Sequence, residues 1–147
     1  MHLFGLFLLA VRAYDKDMYS TTTSGITVTV EPTYLDHESM PDKNLFVWAY
    51  HVRIENHGKT AVQLRTRYWK ITDGYGRTQE VRGAGVVGEQ PVLQPGGSFE
   101  YTSGTPLPTP SGIMTGSYAM ENPDGELLTI DIPAFSLDAP GHGHSLN

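Results

Sequence analysis

The chain has 147 residues, no cysteine and a formal net charge of −6. That length suits one domain with its own core, and the lack of cysteine excludes disulfides, a thiolate zinc site and a cysteine nucleophile, which fits a reducing cytoplasm. The acidic balance argues against duplex nucleic acid, whose phosphates demand a surplus of Lys and Arg.

Leu3 to Val11 is an apolar run too short to span a bilayer, which takes about 20 residues. No Lys or Arg precedes it, so it is a poor signal peptide. The expectation is an extension over residues 1–17 with Met18 as the natural start, a domain over 18–140 and a flexible tail over 141–147. From Ile26 the pattern has period 2: Ile26, Val28 and Val30 on one face, Thr27, Thr29 and Glu31 on the other. Asp36 to Asn44 reads as a polar loop. Phe46, Trp48, Tyr50, Val52 and Ile54 form the core face of a long strand, and Asn56-His57-Gly58-Lys59 reads as a hairpin turn.

In the next strand, Val62 and Leu64 occupy one parity while Trp69 and Ile71 occupy the other. A bulge near Thr66 and Arg67 reconciles them, because one extra residue exchanges the faces. Asp73-Gly74-Tyr75-Gly76 is a turn, and Arg77 to Val81 a short edge segment. Strands follow over Ser98 to Ser103, Gly112 to Glu121 and Glu126 to Leu137, the last two joined by the Asn122-Pro123-Asp124-Gly125 turn. Thr105 to Pro110 reads as a proline-rich crossover. Sixteen glycines, ten prolines and eight tyrosines fit this series of strands and turns: an all-β, immunoglobulin-like antiparallel sandwich.

Gly83, Gly85 and Gly88 spell G-x-G-x-x-G, the dinucleotide fingerprint when a strand precedes it and a helix follows. Pro91, Pro95 and the alternating Phe99 and Tyr101 place it between strands instead. Two readings stand. In one, backbone N–H groups of the loop hold a phosphate, helped by Arg82 and by Arg65 or Arg67; in the other, which is favoured, the glycines serve backbone geometry. The basic stretch from Arg53 to Arg82 carries seven Lys or Arg, with none after it, and is either a solvated face or the cationic side of an anion site. Asp36, His37, Glu38 and Asp42 are the best local oxygen cluster for magnesium, but neighbours on an extended chain point to alternate sides, so a solvated loop is favoured. His142 and His144 lie in the tail. No nucleophile and base can be paired from the sequence.

Taken together, Ile26-Thr27-Val28-Thr29-Val30-Glu31-Pro32, Trp48-Ala49-Tyr50, Ile54-Glu55-Asn56, Tyr68-Trp69, Glu80-Val81-Arg82-Gly83 through Pro91, Tyr101-Thr102-Ser103-Gly104 and Ile132-Pro133-Ala134-Phe135 resemble the bacterial ApaG proteins, also called CorD. The likeness runs from about Met18 to Pro140. It implies a fibronectin type III-like sandwich, no catalytic residues and no cofactor. It also implies an association with cobalt and magnesium efflux, while related eukaryotic domains imply an interaction module. The resulting expectation is a non-enzymatic module for a protein partner, with nucleotide or polyphosphate binding at the glycine loop as a second ligand. The alternative is an accessory role in cation efflux. Open sheet edges leave homodimerisation available.

Overall fold

The computed structural model describes residues 17–141; Leu3 to Val11, His142 and His144 lie outside the described residues. Nine strands form in chain order: β1 Tyr19–Thr23, β2 Ile26–Tyr34, β3 Phe46–Asn56, β4 Val62–Asp73, β5 Thr78–Ala84, β6 Val92–Leu93, β7 Ser98–Leu107, β8 Ser111–Glu121 and β9 Leu127–Asp138. Among the described residues helix is confined to two three-residue 3-10 turns, Asp36–Glu38 and Pro41–Lys43. One sheet has the order β1-β2-β3-β7 and the other β5-β4-β8-β9, with β6 paired to β4. Every strand pairing is antiparallel. Without β1 and β6, three strands face four in the fibronectin type III manner.

The period-2 positions fill the space between the sheets. Ile26, Val28 and Val30 of β2, alternate residues from Phe46 to Ile54 of β3, and Met114, Tyr118 and Met120 of β8 are buried. Each fully buried side chain of this size contributes about 1.5–3 kcal/mol. Trp48 and Trp69 are both buried, as their inward parity requires. Trp69 meets Tyr50 edge-on at 5.1 Å and Phe135 at 5.9 Å, an arrangement aromatic quadrupoles favour.

Four local readings change. β1 lies ahead of the first strand legible in the sequence, because Ser20 to Thr23 has no apolar alternation to reveal it. The turn after Asn56 closes no hairpin, since β3 and β4 belong to different sheets. β7 continues through Thr105, Pro106 and Leu107; it is an edge strand paired only with β3, the place where a missing proline N–H is tolerated. β5 extends to Ala84, so the strand takes in the first glycine of the motif.

Asn56 ties both crossings between the sheets. Its amide nitrogen donates to the carbonyls of Thr60 and Leu93, each at 2.9 Å, while its Oδ1 accepts from the Gly58 N–H at 2.9 Å. Its own backbone N–H donates to the Gly97 carbonyl and its carbonyl accepts from the Gly96 N–H. The residue is 1% exposed, so truncation strands buried donors and acceptors at roughly 1–3 kcal/mol for each group. Asn56→Ala is expected to lose about 3 kcal/mol of stability in urea unfolding; a loss below about 1 kcal/mol would show that the crossings hold without it.

Candidate binding cleft

The two flanks of the sandwich differ. On one, β9 packs against β1 and β2; Tyr19 lies 6.0 Å from Phe135, and the Asp131 N–H donates to Thr23 Oγ1 at 3.3 Å. On the other, β5 and β7 are edge strands with no comparable packing between them. A cleft of about 340 Å³ opens there, lined by Tyr50, Arg67, Trp69, Tyr101 and Ser103 and by Ala84, Val86, Val87 and Gly88 of the glycine segment. A second lobe of about 240 Å³ shares Tyr50, Arg67, Trp69 and Ser103 and adds Ile71, Val81 and Met114.

Arg67 reaches this cleft because of the β4 bulge. The register of β4 against β8 shifts between Leu64 and Thr66, one residue before the expected position, so Arg67 has the inward parity of Trp69 and Ile71. Its cross-strand partner on β5 is Gly83. A Cβ on Gly83 would lie 2.8 Å from the Arg67 guanidinium, so the glycine makes room for the cation. Arg67 Nη1 donates to the carbonyls of Ala84 at 3.1 Å and Gly85 at 2.9 Å.

The remaining glycines shape a hairpin. Val86 and Glu89 exchange backbone hydrogen bonds of 2.8 and 2.9 Å, and the two residues between them, Val87 and Gly88, have φ of 42° and 81°. This is a type I′ turn, which demands positive φ at both central positions. Gly85 has φ of 63°, and a Cβ there would approach the Glu89 carbonyl oxygen to 2.3 Å. Of the loop N–H groups, those of Gly85, Val86 and Glu89 already donate to carbonyls.

The three candidate arginines do not converge. Arg82 lies opposite Tyr68 on the outer face, its guanidinium 4.5 Å over that ring and its Nη1 3.2 Å from Glu80. Arg65, in the bulge, bonds Glu121 through Nε at 2.7 Å, and its carbonyl accepts from the Gln90 amide. Only Arg67 of the three lines the cleft.

Tyr50 and Tyr101 line the cleft, while the fully buried Tyr118 lines neither lobe. Tyr101 and Tyr118 share a buried hydroxyl hydrogen bond, and burial pushes both pKa values well up. Burial also raises Tyr50, against the opposing effects of Ser103 and of the Arg67 charge. All three are therefore neutral near pH 7. In the sequence Tyr50 and Tyr101 read only as core aromatics, and Ser103 stands out in no motif of its own. The available signal is parity, since Ser103 and Thr105 continue the inward set of Tyr101, an odd place for hydroxyls.

Asp36, His37, Glu38 and Asp42 lie on the surface at the 3-10 turns, and among the described residues no three His, Asp or Glu side chains group to hold a metal. A larger concavity of about 460 Å³ includes Asp17, Glu31, Asp138 and Pro140. It borders the limits of the described residues.

The ApaG domain model matches residues 36–122. The chain belongs to the ApaG family. Protein ApaG of Rhodospirillum centenum is 66% identical over 128 residues, covering 87% of this chain and 98% of the relative. Protein ApaG of Paramagnetospirillum magneticum is 64% identical over 130 residues, covering 88% and 100%. A crystal structure of a Bordetella pertussis protein named ApaA superposes with a TM-score of 0.77 at 46% identity, covering 84% of this chain and 98% of that one. The ApaG relatives carry no catalytic activity in their names, and no helix among the described residues is long and apolar enough to cross a membrane.

Two outcomes follow from this geometry. Tyr101 and Tyr118 ionise far above the unfolded value of about 10, so the native state holds more protons there than the unfolded protein. The stability they confer is complete below pH ~10 and falls as pH rises beyond it. Absorbance at 295 nm should show a late tyrosine phase coincident with loss of near-UV circular dichroism, smaller by one tyrosine in Tyr118→Phe. Separately, a β-branched residue in the left-handed region costs about 1–2 kcal/mol, whereas Asn-Gly is the preferred type I′ pair. Val87→Asn should therefore stabilise the fold by about 1 kcal/mol, raising Tm by roughly 2–4 °C.

Proposed function

We propose that this chain is a non-enzymatic ApaG-type binding module that docks an extended segment of a protein partner at the open flank between β5 and β7. The observation that carries the reading is Val87. It is a β-branched side chain held at φ 42° and 55% exposed on the cleft rim, where backbone strain on a largely exposed apolar residue points to a contact made elsewhere. The free edges of β5 and β7 supply backbone donors and acceptors for an added strand, and Val81, Ile71 and Met114 offer an apolar lobe beneath them.

Nucleotide or polyphosphate binding at the glycine loop is the second ligand class. It has less support, because several loop N–H groups are engaged and Arg82 and Arg65 are paired with carboxylates. An accessory role in cobalt and magnesium efflux rests on the family resemblance and has no geometric support among the described residues.

Val87→Lys and Leu127→Lys alter two exposed apolar residues, one on the cleft rim and one on β9. Affinity capture from cells should recover a partner with the unmodified protein and with Leu127→Lys, and lose it with Val87→Lys without any fall in Tm. Equal recovery with both variants would reject the docking face. ATP at millimolar concentration that raises Tm in the unmodified protein, and less so in Arg82→Ala, would favour the polyphosphate reading instead, since a ligand of the native state stabilises by mass action.

A further inference from the structure

Arg53, Arg65, Arg77 and Arg82 each pair with a carboxylate at 2.7–3.2 Å. Arg67 alone among the arginines of the described residues does not, although it is half-buried between the sheets. Its Nη1 is held by two backbone carbonyls, and among the described residues its Nε and Nη2 have no hydrogen-bond partner. Neither of these nitrogens is sealed from solvent, so the cleft leaves donors of a half-buried cation open to an incoming anion. The fold builds this placement through the bulge that turns Arg67 inward and the missing side chain at Gly83 that admits it.

We propose that Arg67 receives a single carboxylate from an Asp or Glu side chain of the docked segment. This rests on the reading of the cleft as a docking site. Charge decides between carboxylate and phosphate. The carbonyl dipoles of Ala84 and Gly85 already offset part of the Arg67 charge, and no second cation lines either lobe. One planar, singly charged group that can take two parallel N–H donors fits this residue, whereas a doubly charged phosphate would be left under-neutralised. The neutral hydroxyls of Tyr50 and Ser103 flank Arg67 in both lobes; they bond each other, which leaves one hydroxyl hydrogen of the pair for the same anion. The lobe lined by Ile71, Val81 and Met114 takes an apolar side chain next to the acidic one.

The test is an NMR titration of the isotope-labelled full-length protein with four probes: acetyl-Val-Glu-Val-amide, acetyl-Val-Val with a free terminal carboxylate, acetyl-Val-Gln-Val-amide and inorganic phosphate. The Glu peptide should shift the Trp69 indole N–H, the Ser103 amide and the Gly83 to Gly88 amides, and should bind more tightly than the peptide with the free terminal carboxylate; the reverse order would overturn the side-chain assignment. The glutamine peptide should bind about tenfold more weakly, and Arg67→Gln should lose the same factor, as expected for a charge-assisted hydrogen bond. Arg67→Lys should recover part of it, which separates loss of charge from loss of fold. Equal binding of the Glu and Gln peptides, unchanged binding to Arg67→Gln, or phosphate binding more tightly than either carboxylate at these resonances would overturn the assignment. In the capture experiment, a partner lost with Val87→Lys yet kept with Arg67→Gln would leave the docking face standing and remove the carboxylate.

Discussion

One extra residue in β4 sets both the core and the cleft. Before the register shift at Leu64 and Thr66, Val62 and Leu64 face inward; after it, Arg67, Trp69 and Ile71 do. A strand has a side-chain period of two, so without the bulge Trp69 and Ile71 would be turned to solvent, at several kcal/mol of lost burial. The same step carries Arg67 into the inter-sheet space. The cation is thus inward-facing as a consequence of burying two large apolar side chains, and the fold accommodates it with Gly83 opposite and backbone carbonyls beside it.

The asymmetry of the sandwich gives that placement a use. Where β9 lies along β1 and β2, aromatic packing through Phe135 closes the flank. Where β5 faces β7, the sheets stay apart, and the Val86–Glu89 hairpin covers one end of the gap. Edge strands left uncovered expose unpaired backbone groups. Here they border a cleft lined by Arg67, which has no carboxylate partner among the described residues, and by the neutral Tyr50 and Tyr101.

The glycine motif shows how far a linear pattern can mislead. Its spacing matches a dinucleotide loop, yet each glycine answers a separate steric demand: Gly83 admits a guanidinium, Gly85 avoids its own hairpin carbonyl and Gly88 supplies the second positive φ of a type I′ turn. The following helix that would aim a dipole at pyrophosphate is absent, since the backbone after Gly88 turns back as β-structure. Asn56 is a similar case. Asn-His-Gly-Lys has hairpin composition, but the buried Asn56 amide bonds to Thr60 and Leu93 across the two crossings, contacts that local turn preference cannot encode.

What the sequence determined by itself was whatever depends on nearest-neighbour periodicity. This covers the strand positions of Ile26 to Glu31 and Phe46 to Ile54, the need for a bulge in β4, burial of both tryptophans and an all-β sandwich without a βαβ unit. Those features follow because a half-buried strand must alternate, and alternation is visible in one dimension. Only the tertiary structure decided which strands share a sheet, that Arg67 faces inward while Arg82 stacks outward on Tyr68, that β7 runs on through Pro106 at an edge, and that one flank closes while the other opens. These outcomes depend on contacts between residues distant in sequence, such as Tyr101 with Tyr118 and Arg67 with Gly85, whose free energy is set by burial and geometry in three dimensions.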